Sequence, residues 1–124
     1  MSKYEKKLQD FLESEENWDS YGAPKITTES IESARKILEV CESLDLDVFP
    51  GPMGDGGVSI EYSEDNDNKL AFEMIFDINP DGQNVSFGIF KNDELLYPEG
   101  STTVDETIKL IYYLKELYGK TITC

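Results

Sequence analysis

The sequence predicts an α+β domain, a four-stranded antiparallel meander with two N-terminal helices and one C-terminal helix, in the order α-α-β-β-β-β-α. Three observations predict it. Apolar residues recur at helical spacing before residue 44, alternate with polar residues between 58 and 97, and return to helical spacing after 103. At 124 residues, the chain fits a single domain spanning 1–124.

Two amphipathic helices are predicted in the N-terminal third. The first covers residues 3–16, and the Gly- and Pro-containing segment 17–26 separates it from the second. Thr27 or Thr28 caps the second helix, which is expected to end near Leu44. The two apolar stripes are Tyr4, Leu8, Phe11 and Leu12 in the first helix, and Ile31, Ala34, Leu38 and Cys41, with Ile37 and Leu44 at the edge, in the second.

Alternation with a period of two predicts the strands. The clearest run extends over 70–78, and polar turns at 64–68 and 79–83 predict antiparallel neighbours. The fourth strand is expected to be short, over 95–97, because Pro98 follows it. The residues predicted to face the core are Val58, Ile60, Tyr62, Leu70, Phe72, Met74, Phe76, Ile78, Val85, Phe87 and Ile89.

The third helix is predicted to begin at 101–103. Thr103 and Glu106 have the spacing of a capping box, and Gly119 is a natural C-terminal stop. Its apolar face is wide, which predicts burial on two sides. That face consists of Val104, Ile108, Ile111, Leu114 and Tyr118, widened by Leu110, Tyr113 and Leu117.

The composition limits the classes of function. The formal net charge is −15, which repels nucleic acids and anionic membranes and attracts basic surfaces. The chain has no histidine, so Ser-His-Asp and Cys-His catalysis are excluded and most zinc sites are disfavoured. The sequence does not begin like a signal peptide, and it has no apolar run long enough to cross a membrane. A cytoplasmic location is therefore expected. Without histidine to activate it, Cys41 is interpreted as a buried free thiol.

Three segments have a functional and a structural interpretation each. The stretch 77–82 opens like a calcium loop, but position twelve is Gly88 and strands flank it, so a hairpin turn is preferred. The glycine-rich stretch 51–57 is interpreted as a tight turn with Gly56 or Gly57 at positive φ, and this is preferred to the alternative, a mobile binding loop. Trp18 is either an exposed interface anchor or a plug at the end of the core, and the core plug is preferred.

The pattern Trp-Asp-x-Tyr-Gly-Ala, followed by a helix and Asp-Gly-Gly-x-x-Ile-Glu-Tyr, resembles a group of small uncharacterised bacterial and phage proteins. Ser20 and Tyr62 stand where Gly and Trp are expected in that group. The resemblance covers roughly residues 15–90 and implies common ancestry and a phage or mobile-element setting, in which small acidic proteins often act as inhibitors. The matching residues are Trp18, Asp19, Tyr21, Gly22, Ala23, Asp55, Gly56, Gly57, Ile60, Glu61 and Tyr62.

One face of the predicted sheet is left turned away from the core. Its residues are Ser59, Glu61, Ala71, Glu73, Ile75, Ser86, Gly88 and Phe90, unless helix 3–16 covers them. This mixed apolar and acidic surface suits a basic partner. The candidate partner-binding residues are Glu61, Glu73, Ile75, Phe90, Trp18, Tyr21 and Asp55.

The sequence therefore predicts a small non-enzymatic inhibitor of the anti-CRISPR or immunity type, without a cofactor or metal. Its expected partner is a protein with a basic nucleic-acid-binding surface, and neither direct nucleic-acid binding nor membrane binding is expected. One alternative is a structural or adaptor module that joins a complex, or assembles with itself as a homo-oligomer, through apolar contacts. The other is a carboxylate enzyme or a calcium binder.

Overall fold

The computed structural model describes residues 4–13, 24–66, 69–91 and 94–123, and these contain three helices and five strands. The α+β class and the placement of the helices around an antiparallel sheet agree with the prediction. The strands form one sheet in the order β1-β2-β3-β4-β5. The elements are α1 (Glu5–Glu13), α2 (Thr28–Ser43), β1 (Phe49–Pro52), β2 (Val58–Asn66), β3 (Lys69–Ile78), β4 (Asn84–Lys91), β5 (Glu94–Thr103) and α3 (Val104–Thr123).

The prediction of four strands is wrong, because β1 adds a strand at one edge of the sheet. It pairs antiparallel with β2, with Phe49 opposite Glu61 and Pro52 opposite Val58. The sequence of β1 is Phe-Pro-Gly-Pro, and both proline and glycine are depleted in strands. Proline is tolerated at an edge because one row of backbone groups there takes no part in the ladder.

The strand at the other edge is longer than predicted. β5 continues through Pro98 to Thr103, whereas the sequence predicted an end at residue 97. Its pairing with β4 shifts register between Phe87 and Ile89 and again between Ile89 and Phe90. An edge strand can contain a proline and irregular pairing because only one of its sides is hydrogen-bonded.

The core lies between the inner face of the sheet and the helices. Within β3, Phe72, Met74, Phe76 and Ile78 are all buried, which confirms the predicted alternation. Helix α2 packs on β2 and β3, and α3 packs on β4 and β5. The stripe predicted for α2 is buried as well, and Ile37, placed at its edge, is completely buried.

Helix α3 is capped as predicted, but the part of it whose side chains the structure describes, up to Glu116, is not buried on two sides. The Glu106 N–H donates to Thr103 Oγ1 at 3.2 Å, and Ile111 and Leu114 are fully buried. Tyr113 is 54% exposed, because a tyrosine at the margin of an amphipathic stripe can keep its ring in contact with water. The helix also continues beyond Gly119, since one glycine costs a helix only about 1 kcal/mol.

Helix α1 lies on the core side of the sheet, beside α2. The Arg35 guanidinium of α2 donates to both Glu5 carboxylate oxygens, and the Val48 N–H donates to Tyr4 Oη at 3.2 Å. Leu8 and Phe11 are buried in the core, as predicted. The described part of this helix therefore does not cover the outer face of the sheet.

Two hairpin turns pack against the first turns of α2. The Thr27 hydroxyl caps the helix by accepting from the Ser30 N–H and donates to the Pro80 carbonyl at 2.7 Å. The Ser33 hydroxyl donates to the Gly82 carbonyl, so the turn between β3 and β4 is fixed to the helix. The turn between β1 and β2 is held by Ser30 Oγ and the Thr27 N–H, both of which donate to the Gly56 carbonyl.

Glycine is required in both turns. Gly82 has φ of 70°, and a Cβ there would lie 2.5 Å from the Glu29 carbonyl oxygen. Gly56 has φ of 96°, as predicted for one of two glycines. A Cβ on Gly57 would lie 2.1 Å from the Ile78 carbonyl oxygen, so close backbone packing excludes any side chain at that position.

Candidate protein-docking face

Four of the residues predicted to bind a partner lie together on the outer face of the sheet. Glu61 of β2 is paired with Ile75 of β3, and Glu73 of β3 is paired with Phe90 of β4. Directly paired residues project to the same side of a sheet, with Cβ atoms about 4.5–5.5 Å apart. The strand register therefore joins these four side chains into one patch on the face that the three described helices leave open.

Ile75 lies at the centre of this patch and has a carboxylate on three sides. Glu73 and Asp77 precede and follow it by two positions along β3, which is roughly 7 Å in an antiparallel strand. Glu61 stands directly across from it on β2 and is exposed. An apolar side chain among three acidic ones suits a basic partner that also has an apolar contact to offer.

Two apolar side chains that the sequence reasoning missed extend the patch to both edges of the sheet. Phe49 of β1 is 61% exposed and is paired with Glu61. Leu95 of β5 is 48% exposed and is paired with Phe90. Phe49 was missed because β1 was not predicted. Leu95 was missed because the irregular pairing of β4 with β5 hides its direction.

We refer to these side chains and their neighbours as the outer patch. It contains three carboxylates, no basic residue and four large apolar side chains. Its residues are Phe49, Glu61, Glu73, Ile75, Asp77, Ser86, Gly88, Phe90 and Leu95.

A shallow concavity lies within the outer patch. Its volume is ≈ 180 Å³. Gly88 is paired with Ile75 and has no side chain, so the surface is lower there than at the neighbouring positions of β4. The described residues that line the concavity are Ile75, Asp77, Ser86, Phe87, Gly88 and Phe90.

Of the other three predicted partner-binding residues, the structure describes only Asp55, which is not in the outer patch. Asp55 lies in the turn between β1 and β2, where its Oδ1 accepts a hydrogen bond from the Gly57 N–H at 2.9 Å. This hydrogen bond stabilises the turn itself, so Asp55 has a structural role there. Trp18 and Tyr21 lie outside the described residues, so the choice between anchor and core plug stays a prediction.

The segment that resembles a calcium loop is the turn between β3 and β4. Asp81 Oδ1 accepts from the Gln83 and Asn84 N–H groups, and these bonds lower the pKa of the Asp81 carboxyl. Asp77 belongs to β3 and points to the outer face. Across the part of the chain that the structure describes, no cluster of three or more Cys, Asp or Glu side chains could hold a metal ion.

The remaining strongly perturbed groups are structural. Burial raises the pKa of the Cys41 thiol to about 12, as expected for a thiol inside the core, and it is therefore protonated at neutral pH. Hydrogen bonding to Arg35 lowers the pKa of the Glu5 carboxyl, and the same ion pair raises the pKa of Arg35. Both groups join helices and lie away from the outer patch.

Comparison with protein families, curated proteins and solved structures finds no match to this chain. The resemblance to small bacterial and phage proteins therefore stays a prediction. Among the residues that the structure describes, no helix is both long and apolar enough to cross a membrane.

Proposed function

We propose that this protein is a non-enzymatic inhibitor that docks its outer patch on the basic, nucleic-acid-binding surface of a protein partner. The observation that carries the proposal is the cross-strand grouping of Glu61, Glu73 and Ile75 on a sheet face that none of the three described helices covers. The patch joins charge, which steers a basic partner, to apolar side chains, which hold it once water is excluded.

The charge of the chain decides which class of macromolecule fits. A net charge of −15 opposes approach to DNA, RNA and anionic lipid, and favours a protein surface rich in Lys and Arg. Surfaces of that kind bind phosphate backbones, so an acidic protein seated there excludes the nucleic acid. Inhibition then requires no catalytic group on this chain.

The apolar residues determine the lifetime of the complex once it has formed. Phe49 and Leu95 are about half exposed at the two edges of the sheet, and Ile75 and Phe90 are half-buried between them. Aromatic side chains near the middle of an interface are frequent anchors, whereas charges at the rim mainly set the association rate. We expect Phe90 to slow dissociation and Glu61 to speed association.

The first experiment is affinity capture of the tagged protein's partner from an extract of its native cells, at low and at high salt. The proposal predicts a basic protein that is retained at low salt and released as salt rises, and whose nucleic acid competes with this chain for binding. A partner that binds equally well at both salt concentrations, or that binds its nucleic acid and this chain together, would contradict the proposal.

The second candidate function is an adaptor that assembles through apolar contacts. Tyr112 and Tyr113 favour it, because both are about half exposed on α3, on the opposite layer of the fold from the outer patch. Salt-insensitive self-association that Tyr112→Ala/Tyr113→Ala abolishes would favour this function. A monomer at all salt concentrations would exclude the homo-oligomeric form of it.

A further inference from the structure

The concavity around Gly88 combines features that suit one particular side chain. Its walls include the half-buried Ile75 and Phe90, and one end holds Asp77. Asp77 and Ser86 are directly paired across β3 and β4, so a carboxylate and a hydroxyl stand side by side at that end. The site is therefore apolar along its length and acidic at one end.

The size of the concavity sets a limit on what it can take. An apolar protein cavity of about 150 Å³ holds one benzene molecule, and the concavity measures ≈ 180 Å³. It accommodates one long side chain and is too small for a helix or a strand. A partner segment would lie across the outer patch and place a single residue into the site.

The Asp77 carboxylate forms no hydrogen bond or ion pair within the part of the chain that the structure describes. It is half-buried, so its hydration is incomplete. A cation that reaches it from the concavity would gain a charge-assisted hydrogen bond in partly desolvated surroundings. The same cation would leave no charge unpaired at the centre of the interface.

We propose that the Gly88 concavity receives one arginine side chain of the partner, with the guanidinium on Asp77 and Ser86 and the methylene stem along Ile75. This inference rests on the proposed function and names the chemistry that the outer patch recognises. Arginine fits better than lysine because its planar guanidinium donates to two acceptors at once, here the Asp77 carboxylate and the Ser86 hydroxyl, which are paired across β3 and β4. The missing side chain at Gly88 provides the room.

The test is a titration of the isotope-labelled protein with N-acetyl-arginine amide, followed by amide NMR. We expect shifts confined to the lining residues, with a dissociation constant that is roughly millimolar for so small a ligand. N-acetyl-citrulline amide, which has nearly the same shape without the charge, should bind about three- to tenfold more weakly. N-acetyl-lysine amide should also bind more weakly than the arginine compound.

Two variants locate the site. Asp77→Asn keeps the shape and removes the charge, and Gly88→Val fills the concavity with a residue that strands favour. Asp77→Asn should weaken the arginine response about three- to tenfold, as the loss of charge in citrulline does, and Gly88→Val should abolish the local shifts. Glu39→Gln, which removes one charge from the exposed side of α2, should leave them unchanged. Circular dichroism and unchanged amide shifts outside the outer patch confirm that each variant is folded.

Equal responses to arginine and citrulline, or shifts spread over the whole acidic surface in wild type and Asp77→Asn alike, would overturn the inference. Its failure is distinct from failure of the proposed function. A basic partner whose binding requires Glu61 and Glu73 but tolerates both Asp77→Asn and Gly88→Val would overturn the arginine site alone. A local arginine response would support the site even where the captured partner binds elsewhere on the chain.

Discussion

The two faces of the sheet are built from alternate residues of the same strands, yet the described helices cover only one of them. On the inner face, Phe76 and Ile78 are almost completely buried beneath the helices. On the outer face, their chain neighbours Ile75 and Asp77 are half-buried and line an open concavity. Apolar side chains thus serve folding on one face and are available for binding on the other, and the covering helices distinguish the two uses.

The largest difference between the faces should appear in stability. Phe76→Ala removes a ring that is 2% exposed and is expected to lower the free energy of unfolding by about 3–5 kcal/mol. Phe90→Ala trims a half-buried ring of the outer patch, and we expect a loss of about 1 kcal/mol or less. Urea denaturation of both variants measures the difference. Equal losses would show that the outer patch belongs to the folding core.

The turn against α2 should be the next most sensitive place. Gly82→Ala introduces a Cβ at φ of 70° that meets the Glu29 carbonyl, and a cost of about 1–3 kcal/mol is expected. Gly51→Ala is the matched control, because a methyl group added there would have nothing within 4 Å, and it should change stability by about 0.5 kcal/mol or less. Thermal unfolding compares the two, and similar melting temperatures would contradict the close packing described for this turn.

Loss of the Arg35–Glu5 ion pair, which joins α1 and α2, should have a smaller effect on stability, and that effect should depend on pH. Arg35→Met removes the partner of Glu5, and a loss of about 1 kcal/mol is expected at pH 7. The pKa of Glu5 is lowered in the folded protein, so the ion pair stabilises above the unfolded pKa, near 4.5, and its contribution disappears as pH falls through the folded pKa. When unfolding is measured from pH 7 to pH 2, the free energies of unfolding of wild type and Arg35→Met should converge at the acidic end. A difference that stays constant over this range would contradict the assignment.

The smallest effect on stability is expected from charge reversal in the outer patch. Glu61→Lys should change the free energy of unfolding by about 0.5 kcal/mol or less, because its side chain is exposed. Equilibrium urea unfolding checks this value. A loss of several kcal/mol would mean that the carboxylate holds the fold together, and Glu61 would then be a poor probe of binding.

The sequence predicted the inner face well because one physical rule governs it. Alternation in 70–78 and the helical stripes both follow from burial of apolar area, and the placement of Glu61 and Ile75 on the same outer face follows from that alternation. The Thr27 and Thr103 caps were also predictable, because capping depends on neighbouring residues.

The edges of the sheet were not predictable from the same rules. The Phe-Pro-Gly-Pro strand opposes local strand preference and exists because β2 offers it a partner, which is a tertiary effect. β5 continues past Pro98 for the same reason, because β4 offers it a partner. Its irregular pairing with β4 cannot be inferred from the periodicity of the sequence. The outer patch therefore gained Phe49 and Leu95 only from the strand register.

The central claim is that the outer patch, and not acidity in general, binds the partner. The most direct measurement is the affinity of the purified partner for Glu61→Lys/Glu73→Lys and for Glu39→Lys/Glu116→Lys, a control with the same net charge whose changes lie on exposed positions of α2 and α3. We expect the outer-patch variant to lose at least tenfold in affinity at low salt, through slower association and faster dissociation, and the helix variant to lose about threefold or less. Equal losses from the two variants would contradict the claim and assign the binding to net charge alone.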